Sequence, residues 1–151
     1  MRLFILRHGQ AEPYRRDDES RELVDAGRGE VKAVISRQAH LMGCPAVWGS
    51  PYIRAQQTAV IASEILGVPQ GVSHTLAQLT PDASPAALIE ELYQSGLETL
   101  LIVSHQPLVS HLLDTLCGPS EQHGMNTASL ACVDCDVMAA DMGRLEWLVH
   151  P

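Results

Sequence analysis

Aromatic side chains are almost missing from this chain of 151 residues, which has one Phe, two Trp and three Tyr. Its core must therefore rest on Leu, Val, Ile and Ala. Positive charge is also scarce: ten Lys and Arg face eighteen Asp and Glu, for a formal net charge of −8. That balance excludes nucleic acid or an anionic membrane as the main partner. No apolar run approaches the roughly 20 residues that span a bilayer. The N-terminus enters a four-residue apolar run, Leu3-Phe4-Ile5-Leu6, too short for the core of a secretory signal. A cytoplasmic location is expected. Internal repeats, low-complexity tracts, a glycine–lysine phosphate loop and a Mg²⁺ ligand set are all lacking. Of the four cysteines, Cys44, Cys117, Cys132 and Cys135, only the last two form a C-x-x-C pair. That pair lies on strand-like sequence, whereas a redox motif favours a helix start. A zinc site would need two more ligands at irregular spacing. Reduced structural thiols and no metal are the expectation, with a thiol protein using Cys132 and Cys135 as the alternative from another class.

What is present reads as globular: 46% of residues are hydrophobic and 19% charged. The length suits one domain over residues 1–151. Strand and helix signals alternate. Strands are predicted at Leu3 to Leu6, Ala46 to Gly49, Gly71 to His74, Thr99 to Val103, Ser129 to Val133 and Leu145 to Val149. A helix capped by Asp25 should run to Leu41, with Val31, Val34, Ile35 and Leu41 on one face. Ser50-Pro51 and Ser84-Pro85 read as helix starts, with Ser as cap and Pro at the first position. Pro107 opens a further helix, closed by Gly118-Pro119. The alternation predicts an α/β fold, a three-layer α/β/α sandwich with a mostly parallel central sheet. Ligands of such sheets bind outside the carboxyl ends of the strands.

Three of those strand ends carry unusual residues. The first delivers Arg7-His8-Gly9: a fixed cation with a fork of donors, a nucleophile or proton carrier, and a residue without a side chain. The second leads into Ser50-Pro51-Tyr52-Ile53-Arg54, which puts a cation in a first helical turn, where an anion is favoured. The Thr99 to Val103 strand ends in Ser104-His105 at another helix start. Two arginines and two histidines thus converge on one sheet edge. A phosphoryl group needs in-line attack on phosphorus and cations on its equatorial oxygens. His8 supplies the nucleophile; Arg7, Arg54 and His105 supply donors.

Leu-Arg-His-Gly at the first strand end, Ser-Pro-x-x-Arg-Ala-x-Gln-Thr after the second and Val-Ser-His-x-Pro-Leu-Val near residue 105 resemble the histidine phosphatase (phosphoglycerate-mutase-like) superfamily. Among its members the likeness is to the short SixA-type phosphohistidine phosphatases. The resemblance implies that His8 becomes phosphorylated and that Arg7, Arg54 and His105 form the phosphate pocket. Arg21 matches an arginine of similar sequences and either reaches the pocket edge or is a solvated loop residue. Ser50 and Thr58 are expected to cap and pack. Larger relatives carry a carboxylate that protonates the leaving oxygen. Here Gln78 stands in that segment, with Asp82 as a nearby substitute. A missing acid favours phosphohistidine, whose leaving imidazole is neutral once the ring is protonated, over an alkyl ester. Short connections leave little chain for a lid, which suits a phosphorylated protein such as a histidine phosphotransfer domain. The expected activity is therefore a cofactor-free, metal-independent phosphohistidine phosphatase. The alternatives are a phosphatase or mutase for small esters with Asp82 as acid, and a phosphate-binding module without turnover. His40, His74, His111, His123 and His150 are assigned no chemistry.

Overall fold

The computed structural model describes residues 1–13, 15, 17–69 and 74–151. Six strands form one sheet: β1 (Arg2–Arg7), β2 (Ala46–Gly49), β3 (His74–Thr75), β4 (Thr99–Ser104), β5 (Leu130–Cys135) and β6 (Gly143–Val149), in the order β3-β2-β4-β1-β5-β6. The pairings among β1, β2, β3 and β4 are parallel. Only β5 runs against the rest, pairing antiparallel with β1 and β6. The predicted strand at Gly71 to His74 lies outside the described residues except for His74, which belongs to β3.

Among the described residues the α-helices are α1 (Asp25–Met42), α2 (Ile53–Leu66), α3 (Pro85–Ser95) and α4 (Leu108–Cys117). Alternate side chains of each strand point to opposite faces. Leu3 and Ile5 of β1, with Leu100 and Ile102 of β4, pack against α3 and α4. Phe4, Leu6, Leu101 and Val103 pack against α1 and α2. The central strands are therefore apolar at nearly every position, since both faces are covered. This is the predicted three-layer sandwich.

Three local expectations differ. Val24, without a side-chain cap bond, precedes α1, so Asp25 is the first helical residue and meets the dipole instead of capping. Leu41 is 44% exposed, and Met42 is the buried residue of that turn, because the stripe has drifted round the helix by then. Helix α2 begins at Ile53, not Pro51, and Tyr52 precedes it. The start at Ser84-Pro85 holds: Ser84 accepts the Ala87 N–H at 3.3 Å, and Pro85 opens α3.

Candidate active site

The register pairs Arg7 with Ser104, so the residues that follow, His8 and His105, leave the sheet side by side. Their ring centroids are 5.0 Å apart. The chain leaves β1 toward α1 on one face and β4 toward α4 on the other. A crevice opens where neighbouring strands part in this way. On the far side of β4, β2 delivers Ser50 and the first turn of α2, which carries Arg54. Residues 8, 54 and 105 meet for this reason alone.

His8 is 6% exposed and held by its main chain. Its N–H donates to the Ser104 carbonyl at 3.0 Å, and its own carbonyl accepts the Ala128 N–H at 3.0 Å. Its Nδ1 lies 2.7 Å from the Gly9 carbonyl oxygen. A carbonyl can only accept, so Nδ1 carries the proton and Nε2 keeps the free lone pair. Burial pushes the His8 pKa down to about 4; the Gly9 carbonyl works against this, and Arg54, Arg7 and Arg21 add to it. At neutral pH the ring is thus uncharged. The turn after it is packed backbone on backbone: a Cβ on Gly9 would stand 2.9 Å from the Gly27 carbonyl oxygen, and one on Gly27 would stand 2.1 Å from that of Gln10. The Gly9 N–H donates to Thr58 Oγ1 at 3.1 Å, and that hydroxyl donates to the Arg54 carbonyl at 2.8 Å. Thr58 therefore ties the exit of β1 to α2.

Arg54 is 3% exposed. Its Nε–H donates toward His8 Nε2 across 3.4 Å. Its Nη1 donates to the Asp18 carbonyl at 2.8 Å, and its Nη2 meets Asp18 Oδ2 at 3.3 Å. The guanidinium also lies over the Tyr52 ring, 5.0 Å from its centroid. Asp18 binds a second arginine: Arg21 Nε donates to its Oδ1 at 2.8 Å, while Arg21 Nη1 donates to the Glu12 carbonyl at 2.8 Å. Partial burial opposes the Asp18 charge, but its bonds to Arg21 and Arg54 outweigh this and hold the carboxyl below its ordinary range. Arg21 is thus fixed by the carboxylate that also holds Arg54, and is not a free loop residue. Sequence reasoning missed Asp18. Its i,i+3 spacing to Arg21 was the available signal, and its contact with Arg54, 36 residues away, left none.

Arg7 Nη1 donates to the Met125 carbonyl at 2.8 Å. His105 is 1% exposed, and burial, then His8 and Arg54, push its pKa down to about 2. Its Nε2 lies 2.7 Å from Ser50 Oγ. The edge of Tyr52 covers the ring at 4.9 Å between centroids. Ser50 therefore reaches into the site and does not cap α2. Among the described residues, three buried side-chain polar atoms have no hydrogen-bond partner: Arg2 Nε, Arg7 Nε and His105 Nδ1. Two of the three belong to this cluster. Unpaired buried polar atoms beside two guanidinium groups suit a polar, anionic ligand, as a phosphoryl group is.

Gln78 is half-buried in a short 3₁₀ turn, Ala77–Leu79, which is anchored to the site where Ser104 Oγ donates to the Leu79 carbonyl at 2.7 Å. Asp82 is exposed in the next turn, and its charge helps to raise the pKa of the Tyr52 phenol. Cys132 packs on the α1–α2 side of the sheet and Cys135 on the α3–α4 side, so the C-x-x-C pair is split by the pleat. Among the described residues no group of three or more His, Cys, Asp or Glu could hold a metal ion. Nor is any helix long and apolar enough to cross a membrane. Two of the histidines left without a role are structural partners: His123 Nδ1 lies 2.7 Å from Asp114 Oδ1, and His150 Nδ1 lies 2.6 Å from Ser129 Oγ.

An α/β sandwich that gathers a neutral histidine and two arginines at the carboxyl ends of its strands presents an edge suited to an anion such as a phosphoryl group. The profile of the histidine phosphatase superfamily (branch 1) matches residues 3–80, and the chain belongs to that family of hydrolases. The chain is 28% identical over 155 residues to phosphohistidine phosphatase SixA of Escherichia coli strain K12, covering 100% of this chain and 94% of that protein. It is also 28% identical over 149 residues to a SixA homolog of Haemophilus influenzae, covering 87% and 86%. The solved structure of the protein histidine phosphatase SixA complexed with tungstate superposes with a TM-score of 0.87 at 30% identity, covering 100% of this chain and 97% of that one.

Proposed function

We propose that residues 1–151 act as one domain that removes the phosphoryl group from phosphohistidine on a partner protein, through a phospho-His8 intermediate and without a metal. The observation that carries this reading is the uncharged, unprotonated Nε2 of His8, whose lone pair faces the Arg54 Nε–H across 3.4 Å. Nε2 attacks phosphorus in line. The P–N bond to the substrate imidazole breaks, and that ring leaves with the bonding pair, neutral because its other nitrogen is protonated. Arg7, Arg54 and His105 hold the equatorial oxygens through the transfer. Water then attacks phospho-His8, inorganic phosphate departs, and the Nε2 lone pair is restored.

Gln78 and the exposed Asp82 support the choice of substrate. Gln78 has no acidic proton and Asp82 is exposed, and an alkoxide leaving group would need an acid that a protonated imidazole does not. The relatives named for phosphohistidine support it further. The positive charge comes from side chains, so no metal is needed to neutralise the phosphoryl oxygens. The four free thiols suit a reducing compartment, and we place the protein in the cytoplasm.

The test is release of labelled phosphate from a phosphohistidine-bearing protein, run beside p-nitrophenyl phosphate and with EDTA present. Release from the protein, with an acid-labile label trapped on His8 and unchanged by EDTA, is the expected result. Full activity of His8→Ala, or turnover of the small ester alone, overturns it.

A further inference from the structure

Ser50 is fully buried, and each of its polar groups is engaged. Its N–H donates to the Val103 carbonyl at 3.0 Å, and its carbonyl accepts the Gln56 side-chain amide at 2.6 Å. These bonds fix the residue between β4 and α2. Its hydroxyl oxygen has two neighbours: the Tyr52 N–H, which donates to it at 3.3 Å, and His105 Nε2 at 2.7 Å.

A serine hydroxyl has one proton to give. The Tyr52 N–H takes up acceptor capacity and cannot receive that proton. His105 Nε2 can. A neutral imidazole carries its proton on one nitrogen only, so a ring that accepts at Nε2 must donate from Nδ1. Nδ1 is the buried His105 atom with no protein partner. Its ring stands 5.0 Å from that of His8. The opposite arrangement would put the proton on Nε2 against Ser50. It would then aim a bare lone pair at the oxygens of an incoming phosphoryl group, and the two lone pairs would repel.

We infer that Ser50 is a positioning residue that sets the tautomer of His105: its hydroxyl donates to Nε2, so that Nδ1–H is the donor offered to the transferring phosphoryl group. The role of His105 toward phosphate rests on the function proposed above; its tautomer does not, and the two can be tested separately. The serine of the Ser-Pro-x-x-Arg segment thus serves the site from a position where helix capping would have been the ordinary use.

Long-range ¹H–¹⁵N correlation spectra of the imidazole rings at pH 7.5 read the tautomer directly in the unaltered protein. The expected pattern is a pyrrole-type Nδ1 and a pyridine-type Nε2 for His105. A protonated Nε2 in the unaltered protein overturns the inference, whatever the variants do. In Ser50→Ala the His105 signals should move toward the Nε2–H form. The kcat for p-nitrophenyl phosphate or a phosphohistidine protein should fall roughly tenfold to a hundredfold, with a folded spectrum retained. Ser50→Thr keeps the hydroxyl and should retain the Nδ1–H pattern and most of the turnover. An unchanged tautomer in Ser50→Ala, with kcat intact, also overturns the inference. If the tautomer follows Ser50 while phosphohistidine is not a substrate, the inference stands and the substrate assignment fails.

Discussion

Arg54 points its Nε–H at His8 Nε2 while Asp18 holds both of its Nη groups. The guanidinium is thus oriented by a residue from another segment, with one edge left for the nucleophile. Arg54→Lys tests whether this orientation matters or charge alone does. Lysine keeps the charge but presents one ammonium in place of a planar fork. Losing one or two charge-assisted bonds, each worth roughly 1.5–3 kcal/mol, should lower kcat/KM on the order of tenfold to ten-thousandfold. Steady-state kinetics of the variant check this; activity within twofold of the original would show that charge alone suffices.

The two active-site histidines should stay uncharged across the physiological range. Burial places their pKa values near 4 for His8 and near 2 for His105, against 6.5 for an unperturbed ring. NMR titration of the ligand-free protein should show neither ring protonating between pH 8 and pH 5.5. A His8 midpoint near 6.5 would contradict the burial that sets its charge.

The same shifts have a consequence for stability, with a definite sign. Above pH 6.5 both rings are neutral in folded and unfolded chains and contribute no slope. Below 6.5 the unfolded chain binds protons that the folded one does not, so stability falls with falling pH. The loss grows from about 6.5 down to about 4 for His8, and continues lower for His105. Each ring adds a slope on the order of 1 kcal/mol per pH unit. Urea unfolding at pH 7.5, 6.0 and 5.0 should show this decline, and His105→Gln should flatten it.

Gly27→Ala should loosen the turn that carries His8. The new Cβ would meet the Gln10 carbonyl oxygen at 2.1 Å, and that partner is backbone and cannot rotate away. A destabilisation of about 1–3 kcal/mol or more is expected in chemical denaturation. Gly29→Ala, where nothing lies within 4 Å, serves as the control and should be neutral or stabilising.

The thiols should separate by burial. Cys44 is exposed, Cys117 half-buried, and Cys132 and Cys135 buried. Burial raises the pKa of the last three, to about 11 for Cys135. One fast-reacting thiol per folded chain is expected with a disulfide reagent. Cys117 should react more slowly, and Cys132 and Cys135 only on unfolding. Two fast thiols from Cys132 and Cys135 would restore the redox reading.

Much of this protein is local information. The apolar run Leu3 to Leu6, the start signal Ser84-Pro85 and the motif residues Arg7, His8, Arg54 and His105 follow from short-range pattern and side-chain chemistry. From these the sandwich, and the sheet edge where the four residues converge, can be read without coordinates. The tertiary structure decided what depends on which segments meet. It took Ser50 from capping α2 to His105, because β2 ends beside β4. It joined Asp18 to Arg54 and put Cys132 and Cys135 on opposite faces of one strand. It placed His8 Nδ1 on the Gly9 carbonyl in a buried crevice, and so set the ring's charge. Sequence fixes what each side chain can do. Its hydrogen-bond partners and its distance from water, which determine which of those things it does, exist only once the strand ends are assembled.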